Sequence, residues 1–198
     1  MFIELESVPD EVSRYLQTYG NDVTAIRNTI KEIKCRLPEG YRPILDEVDK
    51  AVLHNELFKA FYLLIIFQRA IQDFAKKELK QKIPDKSEEA RKFCEKNCRI
   101  NKLNDIENLY SCCKCLMDEK ERLAWDYTYS ELAKMIPEAE KYKEMLREVR
   151  RLSNEFVHGL LSSEKMSKVL EKLDYSDLLI LVYVIKFVLD RMSPIGQT

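Results

Sequence analysis

Two long segments of this chain are apolar on almost every side, and they constrain the fold more than any other feature. One lies within residues 43–82 and the other covers residues 178–192. A helix that is apolar all round is usually buried at the centre of a bundle. Gly and Pro are scarce, with four and six residues, and no stretch alternates polar and apolar residues with a period of two. The sequence therefore predicts an all-α fold.

Helix-breaking and capping residues divide the chain into segments. We predict a single domain, residues 1–198, which forms an up-and-down helical bundle with an N-terminal helical region (1–40) and a cysteine-containing helical insertion (83–130). The first two expected helices cover residues 8–36, with a break near Gly20, and 43–82, with an internal cap at Asn55. A third helix begins at Ser87, and two more cover residues 105–120 and 137–161. A short helix capped by Ser162 and a final helix capped by Ser176 follow. Residues 125–130 are ambiguous.

The charge and hydropathy of the chain bear on whether it binds nucleic acid or inserts into a membrane. The net charge is −1, so attraction to nucleic acid requires a local patch. Residues 75–102 carry ten Lys and Arg against five Asp and Glu, which makes Lys76, Lys77 and Lys80 candidates for contacting a phosphate backbone; the alternative is a solvated helix face. No secretory leader and no bilayer-spanning segment is expected, and this predicts a cytoplasmic protein without a membrane partner.

The residue pattern that suggests chemistry lies in the predicted helix 137–161. Arg151, Asn154 and His158 fall on one helix face, with Arg147 one turn earlier. The opposite stripe is apolar and consists of Met145, Val149, Leu152 and Phe156. A guanidinium, an amide and an imidazole together suit a phosphodiester, because they supply charge, orientation and a group that exchanges protons near neutral pH.

This pattern resembles the motif of the HEPN superfamily of helical domains, in which an arginine precedes a histidine by four to six residues on a late helix, commonly with an asparagine between them. Six residues separate Arg151 from His158 here, and Gly159 follows the histidine. The aromatic-rich early helix around residues 58–74 and the long apolar final helix are similar as well. The resemblance implies a HEPN-like bundle.

The resemblance also implies a metal-independent endoribonuclease. We expect it to act on single-stranded RNA without sequence specificity, because no aromatic residues interleave the basic segment to stack on bases. His158 would be the general acid or base, Arg151 the phosphate clamp and Asn154 an orienting group, while Arg147 and Arg150 compete for the role of motif arginine or bind RNA. A homodimer with a composite site, and a defence or toxin–antitoxin context with an antitoxin or nucleotidyltransferase partner, belong to the same expectation. The alternative is a catalytically silent HEPN-like interaction protein.

Four cysteines form two closely spaced pairs within the predicted insertion. Cys94 and Cys98 are four residues apart, and Cys112 and Cys115 are three apart. Facing one another on two helices, they would suit a tetrahedral structural Zn²⁺, which the proposed catalysis does not require. The alternatives are small buried or surface thiols and, in a thermophile, a disulfide. A zinc-clipped helical scaffold is thus a third interpretation of the chain.

Overall fold

The computed structural model describes residues 2–3, 8–37, 39–79, 87–98 and 106–192, and for residues 87, 97, 98 and 106–115 it describes the backbone alone. This part of the chain is all-α and contains no strand, as predicted. Its helices are α1 (Asp10–Tyr19), α2 (Val23–Arg36), α3 (Arg42–Leu53), α4 (Leu57–Leu79), α5 (Ser87–Cys98), α6 (Ile106–Leu132), α7 (Ala139–Val157), α8 (Ser163–Lys172) and α9 (Tyr175–Arg191), with a 3₁₀ turn at Glu39–Tyr41.

The breaks between the first helices follow local chemistry. Gly20 ends α1 at a point where a Cβ atom would lie only 2.5 Å from the carbonyl oxygen of Leu16 and 2.9 Å from Oγ of Ser176, so this close approach of α1 to α9 requires glycine. The side chain of Asp22 then caps α2 by accepting from the backbone of Thr24 at 2.8 Å. Asn55, with φ of 58°, separates α3 from α4.

The start of α9 differs from the expectation. Asp174, rather than Ser176, is the N-cap, and its side chain forms a capping box with Asp177. The buried carboxylate of Asp177 also accepts backbone N–H groups of Phe2 at 2.8 Å and Ile3 at 2.6 Å. Burial raises the pKa of Asp177 above its usual value, although these hydrogen bonds act in the opposite direction. The carboxylate thereby fastens the N-terminal residues to α9.

The aromatic-rich apolar segment forms α4 at the centre of the bundle, as predicted, and the strongly apolar final segment forms α9, which is central as well. Helix α4 packs against α3, α6, α7 and α9, and helix α9 also packs against α1 and α2. Phe61 of α4 is fully buried and contacts the rings of Phe2 and Phe156 edge-on, at centroid distances of 6.1 and 5.4 Å. The ion pairs Arg27–Asp49 and Lys34–Asp46 show that α2 and α3 are antiparallel.

The ambiguous residues 125–130 are helical and belong to α6, whose C-terminal half joins the bundle. Trp125 and Tyr129 are buried there, and their stacked rings have centroids 5.5 Å apart. The aromatic residues of this stretch therefore pack as part of a helix and not of a strand. Helix α5 lies along α6. Within the described residues, no helix combines the length and hydropathy needed to cross a bilayer.

Candidate functional site

Helix α7 divides into the two faces that its sequence predicts. Its apolar stripe is buried and consists of Met145, Val149, Leu152 and Phe156. On the other side, Arg151 and His158 are exposed and Asn154 is half-buried. The hydrophobic stripe thus fixes α7 on the bundle and turns the polar side chains outward.

His158 directly follows the last helical residue of α7 and forms the C-cap of this helix. Gly159 follows with φ of 64°, and the N–H of Leu160 donates to the carbonyl of Glu155 at 2.9 Å. These features form a Schellman motif, which needs a residue that tolerates the left-handed conformation directly after the C-cap. Gly159 therefore sets where α7 ends and where the imidazole is presented.

A groove of about 740 Å³ lies between α4, α6 and α7, and we refer to it as the arginine groove. It is lined by the arginines Arg69, Arg122, Arg147, Arg150 and Arg151, by the carboxylates Asp118, Glu121 and Asp126, and by Trp125, Tyr129, Asn154 and His158. All of the α7 candidates from the sequence line this one groove. Five arginines and three carboxylates line the groove, and further carboxylates that flank it pair with several of these arginines, so an anionic ligand would bind by exchanging existing ion pairs.

The imidazole of His158 contacts an arginine from another helix. Nη1 of Arg69 on α4 lies 3.3 Å from Nε2 of His158. A guanidinium has no acceptor atom, so this hydrogen bond forms with the tautomer in which Nε2 is the acceptor. Arg69 also faces Asp73, one turn further along α4, at 3.7 Å. The cation nearest to the imidazole is therefore supplied by α4.

Arg151, the expected phosphate clamp, is engaged on its own helix. Its guanidinium pairs with Glu148 at 2.8 Å and with Glu155 at 2.7 Å. The hydrogen bond from Arg151 to Glu148 is the largest reason why the pKa of Arg151 is raised further above its usual value. The side chain is still 59% exposed. A phosphate could bind Arg151 only in competition with two carboxylates.

Two arginines of the groove share a single carboxylate. Arg122 donates to Oδ2 of Asp126 at 2.7 Å, while Arg147 lies 3.0 Å from Oδ1 of the same residue. Glu119 binds Arg122 as well, and this ion pair lowers the pKa of Glu119. Arg147 thus shares its paired carboxylate with a second arginine, whereas Arg151 pairs with two carboxylates.

Arg150 has a different environment, because its side chain is only 11% exposed. Nη2 donates to Asp73 at 3.0 Å, and the guanidinium carbon lies 4.2 Å from the centre of the Trp125 ring. Its Nε and Nη1 atoms are buried without a hydrogen-bond partner. The cation–π contact offsets part of that cost, and Arg150 joins α7 to α4 and α6.

Behind the groove, buried amides and hydroxyls connect the same three helices. Gln68 of α4 donates to Ser153 of α7, and Gln72 donates to Gln68 at 2.8 Å. The hydroxyl of Tyr129 on α6 donates to Gln72 at 3.3 Å, and burial raises the pKa of Tyr129. A satisfied polar network of this kind restricts how the helices can pack, so it fixes the wall that carries Arg69 and His158.

The basic segment predicted as a phosphate track contributes little to this groove. Lys76 pairs with Glu121 and lies 4.9 Å above the Trp125 ring, so its ammonium group already has partners. Lys77 is exposed but does not line the groove, and Lys80 lies outside the described residues.

The predicted cysteine site also falls largely outside the described side chains. Only Cys94 is described, and it is buried; the side chains of Cys98, Cys112 and Cys115 are not. Among the side chains that the structure does describe, no three His, Cys, Asp or Glu residues are grouped to hold a metal. The zinc site stays a prediction.

Sequence reasoning missed Arg69 and Trp125 as site residues. A signal for Arg69 was present, because Gln68, Arg69, Gln72 and Asp73 interrupt an otherwise apolar helix at a spacing of four residues. Polar residues repeated on one face of a central helix indicate a buried network or a site. No comparable signal marked Trp125, whose role follows from the packing of α6.

No protein-family model, curated protein or solved structure matches this chain. The geometry described above is therefore the basis for assigning a function.

Proposed function

We propose that this chain is a HEPN-type endoribonuclease that binds single-stranded RNA in the arginine groove and cleaves it without a metal ion. One observation carries the proposal: the imidazole of His158 is contacted by Arg69 at the edge of a groove that holds four further arginines and Asn154. Phosphate binding and proton transfer are the two functions that RNA cleavage demands, and the groove offers groups for both.

The proposed reaction uses the ribose 2′-hydroxyl as nucleophile. Once Arg69 has moved away from Nε2 of His158, this nitrogen accepts the hydroxyl proton while the 2′-oxygen bonds to phosphorus and the bond to the 5′-oxygen breaks. The 5′-oxygen takes a proton from water, and the hydroxide that remains takes the proton from the imidazolium, which restores the neutral imidazole. The products are a 2′,3′-cyclic phosphate and a 5′-hydroxyl. Arg69, released from Nε2, donates to the phosphoryl oxygens and offsets the negative charge that develops on them. Asn154, one turn before His158, orients the phosphate or the ribose.

The arginines of α7 have separate roles in this proposal. Arg147 binds a phosphate by exchanging its contact with Asp126, which Arg122 also holds. Arg151 must release Glu148 or Glu155 to do the same, so its contribution is smaller than the sequence motif implies. Arg150 stays on Trp125 and supports the groove wall. The composite site of a homodimer remains a prediction.

A second function is favoured by one specific contact. Because Glu148 and Glu155 neutralise Arg151, the motif arginine is not free to clamp a phosphate. A catalytically silent HEPN-like protein could use the same groove to bind an anionic partner. Such a protein would not need Arg151 to clamp a phosphate, so these ion pairs would not impair its function. The two functions differ in whether a bond in RNA is broken.

A DNA oligonucleotide that contains one ribonucleotide tests the proposal directly. In EDTA, we expect the purified protein to cut this strand only on the 3′ side of the ribonucleotide and to leave a 2′,3′-cyclic phosphate, because only that position has a 2′-hydroxyl. The matched control is the same strand with a 2′-O-methyl group at that position, which should stay intact. Binding of both strands without any cleavage would contradict the nuclease and support the silent protein.

A further inference from the structure

A second basic cavity lies next to the arginine groove, between α7, α8 and the N-terminal residues. It has a volume of about 430 Å³, a size found for small-ligand sites, and we call it the α8 pocket. Its cationic side chains are Arg151, Lys165, Lys168 and Lys172, while Glu148 and Glu164 are the carboxylates that line it. Among the lining side chains cations outnumber anions by two, and Glu155, which pairs with Arg151 and Lys165, adds one carboxylate beside them.

The α8 pocket combines charge with apolar surface. Lys165, Lys168 and Lys172 recur at intervals of three and four residues, which places them on one face of α8. Ile3 and Leu152, both at most 6% exposed, contribute apolar lining, and the half-buried Phe2 adds an aromatic ring. Lysines beside an aromatic and apolar surface suit a nucleotide, since they offer contacts to its phosphate and to its base.

Arg151 lines both cavities, so the arginine groove and the α8 pocket adjoin at this side chain. Glu155 joins them further, because it pairs with Arg151 at 2.7 Å and with Lys165. The two cavities are therefore continuous at Arg151, and Glu155 holds Arg151 and Lys165 on either side of its carboxylate. This continuity could not be read from the sequence, where the strongest basic stretch is residues 75–102.

From this continuity, and resting on the function proposed above, we infer that the α8 pocket is a second RNA subsite. It binds the nucleotides of the same single strand that lie beyond the phosphate held near His158. Lys168 and Lys172 contact the RNA backbone, and Phe2 packs against a base. Arg151 then joins two subsites instead of clamping the scissile phosphate.

The test compares a long and a short strand. Fluorescence anisotropy in EDTA measures binding of a twelve-nucleotide and a three-nucleotide 2′-O-methyl oligouridylate, each labelled with fluorescein. We expect Lys168→Gln/Lys172→Gln to weaken binding of the long strand about tenfold at low salt. The plot of the logarithm of the binding constant against the logarithm of the salt concentration should become shallower by about 1.4, or about 0.7 for each lost phosphate contact. Binding of the short strand, which fills the arginine groove alone, should not change.

The matched control is Lys31→Gln/Lys50→Gln, which removes two exposed lysines of α2 and α3 and so the same charge at a place distant from both cavities. This control should bind both strands like the parent. Unchanged binding of the long strand by the α8 variant would overturn the second subsite and leave the proposed function intact. Failure of the parent to bind either strand would overturn both. Equal displacement of the long strand by a polyglutamate peptide of matched charge would overturn the assignment to RNA.

Discussion

Replacing His158 by alanine should lower the rate of RNA cleavage about a hundred- to ten-thousand-fold, the range that removal of a general acid or base produces. The reason is that no other titratable imidazole lines the arginine groove within the described residues. His158 is an exposed C-cap with φ of −94°, a conformation that alanine adopts without strain. Folding should therefore be preserved, and single-turnover cleavage in EDTA measures the loss.

The chain contains a well-matched control for this substitution. His54 is also an exposed helix C-cap, with φ of −92°, and it ends α3 rather than α7. His54→Ala should cleave RNA at the rate of the parent, and both variants should show the helical circular dichroism of the parent. Equal rates for the parent and the His158 variant would show that His158 takes no part in proton transfer.

Arg69→Gln should reduce kcat about a hundred- to thousand-fold, which is the cost of losing one preorganised donor to a developing oxyanion. Glutamine retains part of the length and polarity of the side chain but lacks the positive charge. Arg69→Lys should recover only part of the loss, because an ammonium group restores the charge without the planar pair of donors. Single-turnover kinetics at saturating protein concentration separates this effect from weaker binding.

Arg122→Gln serves as the control from the same groove. Its guanidinium contacts Glu119 and Asp126 and not His158, so its removal should affect binding and leave kcat within about threefold of the parent, a difference of less than 1 kcal/mol. If both arginine variants lost kcat equally, the contact between Arg69 and His158 would have no special part in the chemistry.

Much of the fold could be predicted because the decisive interactions are local. The burial of Val149 and Phe156 follows from helical periodicity, and the end of α7 follows from Gly159, the residue type best suited to the left-handed position after His158. The break at Gly20 and the cap at Ser162 also follow from residue type. The cap of α9 at Asp174 was missed because Ser176, two residues later, is an equally good capping residue.

The site was harder to predict, because its contacts join distant parts of the chain. Arg69 is 89 residues from His158 in sequence, and only the packing of α4 against α7 brings them together. The pairing of Arg151 was different, since Glu148 and Glu155 stand three residues before and four after it, a spacing at which opposite charges meet on a helix. The sequence thus contained the reason why Arg151 is a poor clamp.

The most direct test of the central claim is proton NMR of the two histidine Cε1–H resonances during titration with an uncleavable 2′-O-methyl oligonucleotide. The chain has only His54 and His158, so the His54→Ala variant assigns both signals. If RNA binds in the arginine groove, the His158 resonance moves saturably with added oligonucleotide while the His54 resonance stays in place. An oligonucleotide that binds by anisotropy without moving the His158 resonance would contradict this account.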